Sequence, residues 1–155
     1  MSVPPIVLDS GVYAKLFLSE DDRTELLALL VFIGERRAAV FCPDVFLYEV
    51  LSIAAQNGVS LQTTLDLIRQ FEASYLTIAP LTPAQLALAM RMAEDGHVKT
   101  GYPSIYDSAY HALAIALGGV FITADKRHVA KSRQHGHVAL LANWEQALKA
   151  SPQLD

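Results

Sequence analysis

The sequence predicts an α/β fold in which helices flank a central, mostly parallel sheet of about five strands. Short apolar runs alternate with amphipathic helical segments along the whole chain, which is the pattern of strands joined by crossover helices. The runs are continuously apolar, as in strands that are covered on both faces. The chain has 155 residues, 52% of them hydrophobic, and no linker, repeat or low-complexity segment divides it. We therefore expect one domain over residues 1–155.

The first half of the chain predicts three strands and four helices. The proline pair at residues 4–5 excludes a helix before the first apolar run, and Asn57 and Gly58 end the third helix. The acidic segment 19–22 is interpreted as the cap of the second helix. Strands are expected at residues 6–8, 38–42 and 75–79, and helices at 12–17, 23–36, 45–56 and 61–73.

The second half continues the alternation around a central helix that ends at a glycine pair. Gly118 and Gly119 end this helix, and strand-forming residues follow them directly. The expected elements are a helix at 84–95, the central helix at 105–117, a strand at 120–123, a short basic helix after 125, a strand at 138–141 and a helix at 144–149.

The net charge of −4 has the wrong sign for a protein that binds nucleic acid through a broad basic surface. Basic residues are nevertheless concentrated in the segment 126–133, which contains Lys126, Arg127, Lys131 and Arg133. This basic segment either positions a nucleic-acid backbone or is an ordinary solvated helix face. The sequence alone leaves both interpretations open.

Cysteine content and hydropathy indicate the cellular compartment in which the protein is expected. Cys42 is the only cysteine, which excludes an intramolecular disulfide and fits a reducing environment. The N-terminal residues lack the basic start and apolar core of a signal peptide, and no apolar run approaches the roughly 18 residues of a membrane span. We expect a cytoplasmic protein without membrane contact.

Three carboxylates occupy positions with both a structural and a functional interpretation. Asp9 and Asp125 each follow an apolar strand and precede a helix, so each fits an N-cap. Asp107 lies three residues after Ser104, which fits a capping box. The carboxyl ends of parallel strands also form the ligand crevice of open α/β sheets. No one of these three residues, taken by itself, shows whether it is a helix cap or part of a functional site.

Glu49 stands out because it lies within the apolar stripe of its helix. Val45, Phe46 and Ile53 are its neighbours at helical spacing. No lysine or arginine lies between residues 37 and 69, so a local ion pair is excluded. An ionised acid in such a place either extends to water or needs a cation.

The four acids together predict a site for a divalent cation. Carboxylates gathered at one edge of a sheet repel one another unless a cation lies between them. Oxygen ligands select Mg²⁺ or Mn²⁺, and no Cys/His cluster has the spacing of a zinc site. His111, one turn beyond Asp107, is in place to pair with it, whereas the other histidines are interpreted as scattered surface residues.

Four sequence motifs surround these acids. They are IVLDS at Asp9, PDVFLYEVLSIA at Glu49, YDSAYHALAIALGG at Asp107 and VFITADKR at Asp125. In their order and spacing, over nearly the whole chain, the sequence resembles the PIN-domain ribonucleases, particularly the VapC-type toxins of bacterial toxin–antitoxin modules. The motif at Asp107 is the most specific of the four. The resemblance implies a PIN-like three-layer fold whose metal-binding and catalytic quartet is Asp9, Glu49, Asp107 and Asp125.

The resemblance also assigns supporting residues. Thr123, two residues before the last acid, is expected to supply a polar contact. Two residues after its first aspartate the family often has Ser, Thr or Asn, where this chain has Gly11, so that a hydrogen bond is either missing or supplied by Ser10. Lys126 and Arg127 are expected to position the RNA backbone.

What the resemblance implies about activity is a Mg²⁺- or Mn²⁺-dependent endoribonuclease that uses water as nucleophile and leaves 5′-phosphate and 3′-hydroxyl ends. Candidate substrates include tRNA and other structured RNA. The expected partners are a second copy of the chain and a cognate antitoxin whose tail covers the acidic pocket. The helix at 84–95, apolar on more than one face, is interpreted either as a partner surface or as a buried core helix.

Other classes fit less well. A phospho-acceptor receiver domain needs an acidic pair before its strand-end Asp, where Asp9 follows Ile-Val-Leu. A haloacid-dehalogenase-type phosphatase needs a second Asp where this chain has Gly11. A non-catalytic PIN-like RNA- or protein-binding module stays open as the alternative, because an intact quartet indicates a capacity for metal rather than turnover.

Overall fold

A parallel sheet of five strands forms the centre of the molecule over residues 2–149, the part of the chain that the computed structural model describes. The sheet order is β3-β2-β1-β4-β5, and all four neighbouring pairs are parallel, which confirms the predicted α/β fold. The strands are β1 Ile6–Leu8, β2 Val40–Pro43, β3 Leu76–Ala79, β4 Val120–Thr123 and β5 Val138–Leu140.

Helices connect successive strands at nearly the predicted positions. Within the described residues these are α1 Ser10–Tyr13, α2 Arg23–Arg36, α3 Val45–Gln56, α4 Leu61–Ser74, α5 Pro83–Glu94, α6 Ile105–Leu117, α7 Lys126–Ser132 and α8 Trp144–Lys149. No helix among residues 2–149 combines the length and the apolar character that crossing a bilayer requires.

The segment between β1 and α2 differs from its prediction. The expected helix at 12–17 begins two residues earlier as α1 and continues as a 3₁₀ turn over Ala14–Leu16. Asp22 occupies the N-cap position of α2, yet its side chain makes no capping hydrogen bond. Glu20 and Asp22 instead bind Lys15, whose side chain is only 7% exposed. The predicted acidic cap of α2 is therefore wrong. Lys15, Glu20 and Asp22 instead form an ion-pair group, which we call the Lys15 cluster.

The core lies on both sides of β1, which is buried along its whole length. The glycine pair after α6 brings β4 beside it. Gly118 takes a left-handed conformation with φ of 67°, and a Cβ on Gly119 would overlap the carbonyl oxygen of Pro5. That closeness allows the Val120 N–H to donate to the Pro5 carbonyl at 2.9 Å, which starts the β1–β4 pairing.

The strand order places a crevice at the carboxyl ends of β1 and β4. From β1 the chain first builds outward through β2 to β3, and it then returns to the other side of β1 for β4 and β5. This reversal is the switch point at which open α/β sheets hold their ligands. Asp9 directly follows β1, and Asp125 lies two residues beyond β4.

Candidate active site

Asp9 is held by a residue of the neighbouring strand. The Thr123 hydroxyl donates to Asp9 Oδ2 at 2.7 Å, whereas the Asp9 side chain makes no capping hydrogen bond to α1. Burial raises the pKa of the Asp9 carboxyl to about 6; the hydrogen bond from Thr123 lowers it, and the charges of Asp107 and Glu49 raise it further. Asp9 is therefore a buried carboxyl group held by Thr123, and burial favours its protonated form.

Thr123 also ties Asp9 to Asp125. It is fully buried at the end of β4, and its Oγ1 accepts the Asp125 N–H at 3.0 Å while donating to Asp9. One hydroxyl thus sets the relative position of the acids that follow the two central strands. The predicted polar contact of Thr123 is present in the structure.

Asp125 caps α7 and faces solvent. Its Oδ1 accepts the N–H groups of Arg127 at 2.9 Å and His128 at 3.2 Å. The predicted N-cap is confirmed. Both contacts use Oδ1, so the cap also fixes the direction of Oδ2. Capping and a role in a site are therefore compatible for this residue.

Glu49 has a partner that the sequence did not reveal. It is half-buried on α3, and the Tyr110 hydroxyl of α6 donates to its Oε1 at 2.7 Å. Burial raises the pKa of the Glu49 carboxyl, hydrogen bonds from Tyr110 and Ser10 lower it, and the Asp107 charge raises it. Tyr110 itself is 1% exposed. Its position three residues after Asp107, on the same helix face, was the available signal.

Asp107 lies half-buried in the first turn of α6. Its N–H donates to the Ser104 hydroxyl at 3.0 Å, which is one half of the predicted capping box. Burial raises the pKa of the Asp107 carboxyl, and the charge of Asp125 raises it too, while the Ser104 hydrogen bond and the charge of Lys131 lower it. Asp107 is thus sensitive both to another acid and to a lysine of α7.

Ser10 lies between the acids of β1 and α3. Its hydroxyl is 3.4 Å from Asp9 Oδ1, at the long limit of a hydrogen bond, and it also lowers the pKa of Glu49. Gly11 leaves open space, since a Cβ there would meet no atom within 4 Å. Ser10 is therefore placed for the contact that Gly11 cannot make.

These contacts define an acidic pocket, the group Asp9, Glu49, Asp107 and Asp125. The charges of Asp107 and Glu49 raise the pKa of Asp9, the charge of Asp107 raises that of Glu49, and the charge of Asp125 raises that of Asp107. None of the four forms a salt bridge within the described residues. Over residues 2–149, however, no three acid, histidine or cysteine side chains lie close enough to hold a metal ion as they stand. The oxygen donors suit Mg²⁺ or Mn²⁺ in kind.

The predicted environments of two histidines, His111 and His128, are wrong. His111 and His128 are 0% and 2% exposed, with His111 Nδ1 and His128 Nε2 3.0 Å apart. His111 Nε2 lies 2.6 Å from the Gly136 carbonyl, so it carries the proton and Nδ1 accepts from His128. Burial lowers the pKa of both rings to about 4. His111 thus pairs with His128 rather than with Asp107, and His128 is a core residue rather than a surface one.

Lys126 and Arg127, the residues expected to position RNA, are both exposed in the first turn of α7. They directly follow Asp125, which places them at the margin of the acidic pocket. His97 and His137 are exposed, as expected of surface histidines.

Comparison with known families identifies the class. The family model of the PIN domain matches residues 6–134, which is most of the chain. The chain therefore belongs to the PIN domain family. No curated protein matches it.

Solved structures share the fold at low sequence identity. The VapC20 toxin of Mycobacterium tuberculosis, described as cleaving the sarcin-ricin loop, is 12% identical, with a TM-score of 0.64 over 81% of this chain and 93% of its own. VapBC2 of Rickettsia felis, bound to promoter DNA, is 13% identical, with a TM-score of 0.63 over 88% and 96%. FitAcB of Neisseria gonorrhoeae is 17% identical, with a TM-score of 0.57 over 90% and 98%. These likenesses show the PIN-like fold.

Proposed function

We propose that this protein is a Mg²⁺- or Mn²⁺-dependent endoribonuclease and the toxin of a toxin–antitoxin pair. The observation that carries the proposal is the acidic pocket: four electrostatically coupled carboxylates at the switch point of the sheet, with no salt bridge among the described residues to neutralise them. Asp9, Glu49, Asp107 and Asp125 would hold the ion. Bound there, it would lower the pKa of a water molecule and withdraw charge from a phosphodiester.

The side chains around the pocket orient the carboxylates for this task. Thr123 fixes Asp9 and the backbone of Asp125, and Tyr110 fixes Glu49. Each contact comes from a different element, so the packing of β4 and α6 sets the direction of the acids. Because the pKa of Asp9 is raised to about 6, its ionised form is costly without a cation, and a bound cation would displace the Asp9 proton near that pH.

The proposed partners follow from the family and from the structural relatives. The likeness to VapBC2 and FitAcB supports a cognate antitoxin, and the likeness to VapC20, described as cleaving the sarcin-ricin loop, supports a structured RNA substrate. A homodimer and a cytoplasmic location belong to the same proposal. Leu86 and Met90 of α5 are 46% and 51% exposed, whereas Ala89 and Met92 are buried. The exposed pair supports the partner-surface interpretation of this helix.

The test is cleavage of total RNA with and without added Mg²⁺ or Mn²⁺, followed by mapping of the ends. We expect metal-dependent products with 5′-phosphate and 3′-hydroxyl ends, and no products from Asp107→Asn. Metal-independent cleavage that survives in Asp107→Asn would refute the proposal.

A non-catalytic PIN-like module that binds RNA or protein is the second candidate. It is favoured by one observation: over residues 2–149 no three candidate ligands are grouped as closely as a metal site requires. Calorimetry separates the two candidates. Folded protein that does not cleave RNA, with or without measurable Mn²⁺ binding, supports the module, whereas Mn²⁺ binding together with cleavage supports the enzyme.

A further inference from the structure

A cavity of about 620 Å³ lies between α7 and the loop that follows α5. Arg127, Ala130 and Lys131 line it from α7, and Gly96, His97 and Thr100 line it from the loop. We call it the Lys131 cavity. Its volume falls within the range of small-ligand sites, about 300 to 1,000 Å³.

The loop wall of the Lys131 cavity has a defined shape. His97 and Gly101 form an antiparallel bridge, so residues 97–101 make a closed turn. A Cβ on Gly96 would lie 2.6 Å from the Tyr102 ring, and Gly101 has a φ of 89° that side chains rarely adopt. A Cβ on Gly101 would also approach Lys131 Nζ to 3.3 Å. The Lys131 side chain thus lies against the turn at Gly101, whereas the absence of a side chain at Gly96 makes room for Tyr102.

The cavity lies against the helix α7, whose N-cap is Asp125. Arg127 and Lys131, which line the cavity, lie two and six residues beyond Asp125 along the chain. Arg127 donates its N–H to Asp125. A chain with phosphates at regular spacing can therefore place one phosphate at the acids and a neighbouring one at these two basic side chains.

The basic segment is divided by the structure. Arg127 and Lys131 line the cavity, whereas Arg133 lines a separate groove with Val129 and Val138. Asp95 is the acid that lines the cavity, and its Oδ2 lies 3.1 Å from His135 Nε2 and 3.4 Å from Gln134 Nε2. Two cations and one engaged acid favour an anionic ligand.

We propose that the Lys131 cavity binds the nucleotide of a single-stranded RNA segment next to the scissile phosphate. This inference rests on the proposed function. Arg127 and Lys131 contact the phosphate, and the base enters the space above Ala130. Thr100, His97 and Gln134 offer hydrogen-bonding groups for the base edge, so this cavity selects which nucleotide flanks the cut. A free phosphate would leave most of the cavity volume unfilled.

The test measures RNA binding without cleavage. A fluorescein-labelled single-stranded RNA octamer is titrated in EDTA by anisotropy at several salt concentrations. Ala130→Phe, which fills the cavity without changing charge, is expected to weaken binding roughly tenfold, in proportion to the loss of one stacked or enclosed base. Lys131→Gln is expected to lower the salt slope by about 0.7, the value for one single-strand phosphate contact.

Arg133→Gln is the matched control, because it removes the same charge from the same segment but outside the cavity. We expect its affinity to stay within about twofold of wild type. The inference is overturned if Ala130→Phe binds like wild type, or if Arg133→Gln loses as much affinity as Lys131→Gln. Circular dichroism and thermal melts confirm that each variant is folded. A hexaglutamate peptide that binds more tightly than RNA, in an Ala130-dependent way, would assign the cavity to an acidic protein segment instead.

Cleavage of the same octamer with Mn²⁺ separates this inference from the proposed function. Wild-type protein that does not cleave, combined with cavity-dependent binding, supports the cavity and refutes the nuclease. Wild-type cleavage with an unchanged flanking-nucleotide pattern in Ala130→Phe overturns the cavity alone.

Discussion

Two groups of acids in this protein have opposite environments. In the Lys15 cluster, Glu20 and Asp22 are 45% and 43% exposed and surround a buried lysine. In the acidic pocket, burial and neighbouring acids raise the pKa of Asp9, Glu49 and Asp107, and among the described residues no salt bridge offsets these charges. The first group satisfies itself and is structural, whereas the second stores unfavourable charge that a ligand can relieve. The number of acids does not distinguish the two groups. The difference is that a cationic side chain, Lys15, is present in only one of them.

The largest expected effect of this difference is on activity. Asp107→Asn should reduce RNA cleavage about 100-fold or more, because the pocket acids act where charge develops in the reaction. Asp9→Asn should have a similar effect. The matched control Asp22→Asn changes an acid of the Lys15 cluster and should cleave like wild type. The measurement is the initial rate of cleavage with Mn²⁺. Full activity in a folded Asp107→Asn protein would remove that residue from the site.

The next effect is on stability and depends on pH. A folded pKa of about 6 for Asp9, against 3.8 unfolded, means that the fold prefers the protonated acid. The stability contributed by the protonated carboxyl is fully present below pH 3.8 and is lost as the pH rises through 6. Asp9→Asn should therefore match wild type near pH 4 and, without metal, exceed it by about 1 to 3 kcal/mol at pH 7.5.

Urea unfolding in EDTA at pH 4, 5, 6 and 7.5 measures this difference. Glu49 and Asp107 have raised pKa values as well, so the comparison is made between variant and wild type at each pH. The gain should shrink with Mg²⁺, because the ion stabilises the intact pocket. An Asp9→Asn protein that is less stable than wild type at pH 7.5 without metal contradicts the charge-repulsion account.

The Lys15 cluster should respond in the opposite direction. Lys15→Met removes the cation and leaves Glu20 and Asp22 as neighbouring acids, so it should lower the free energy of unfolding by about 1 to 2 kcal/mol. The value is at the low end for a buried ion pair because both acids are partly exposed. Urea unfolding at pH 7.5 measures it. Stabilisation by this substitution would mean that the two acid groups do not differ as described.

The smallest effect is expected at Gly11, which departs from the pattern of the family. A Cβ there meets open space, and the residue lies in the helix α1, where Ser is slightly more favourable than Gly. Gly11→Ser should change the free energy of unfolding by less than about 0.5 kcal/mol. Its cleavage rate shows whether Ser10 already supplies the hydrogen bond. Unchanged activity indicates that it does, whereas a rate well above wild type indicates a missing contact.

Helix α6 and strand β4 were predicted from local pattern with their observed bounds, Ile105–Leu117 and Val120–Thr123. The positions of Asp9, directly after β1, and of Asp125, two residues beyond β4, were also predicted from local pattern. Periodicity, glycine stops and continuous apolar runs act over a few residues, so a sequence reveals them directly. The helix at 12–17 was less accurate, because a short helix that passes into a 3₁₀ turn carries little periodic signal.

The partners of the buried polar groups were decided by tertiary structure. Thr123 and Asp9 are 114 residues apart in sequence, and Tyr110 and Glu49 are 61 apart. His111 and His128 meet only because the fold brings α6 and α7 together. The sequence determined which residues could carry charge and where strands and helices lie. Which of these groups pair depends on contacts between elements that are distant in sequence, and a local pattern shows only which helix face or strand end a residue occupies.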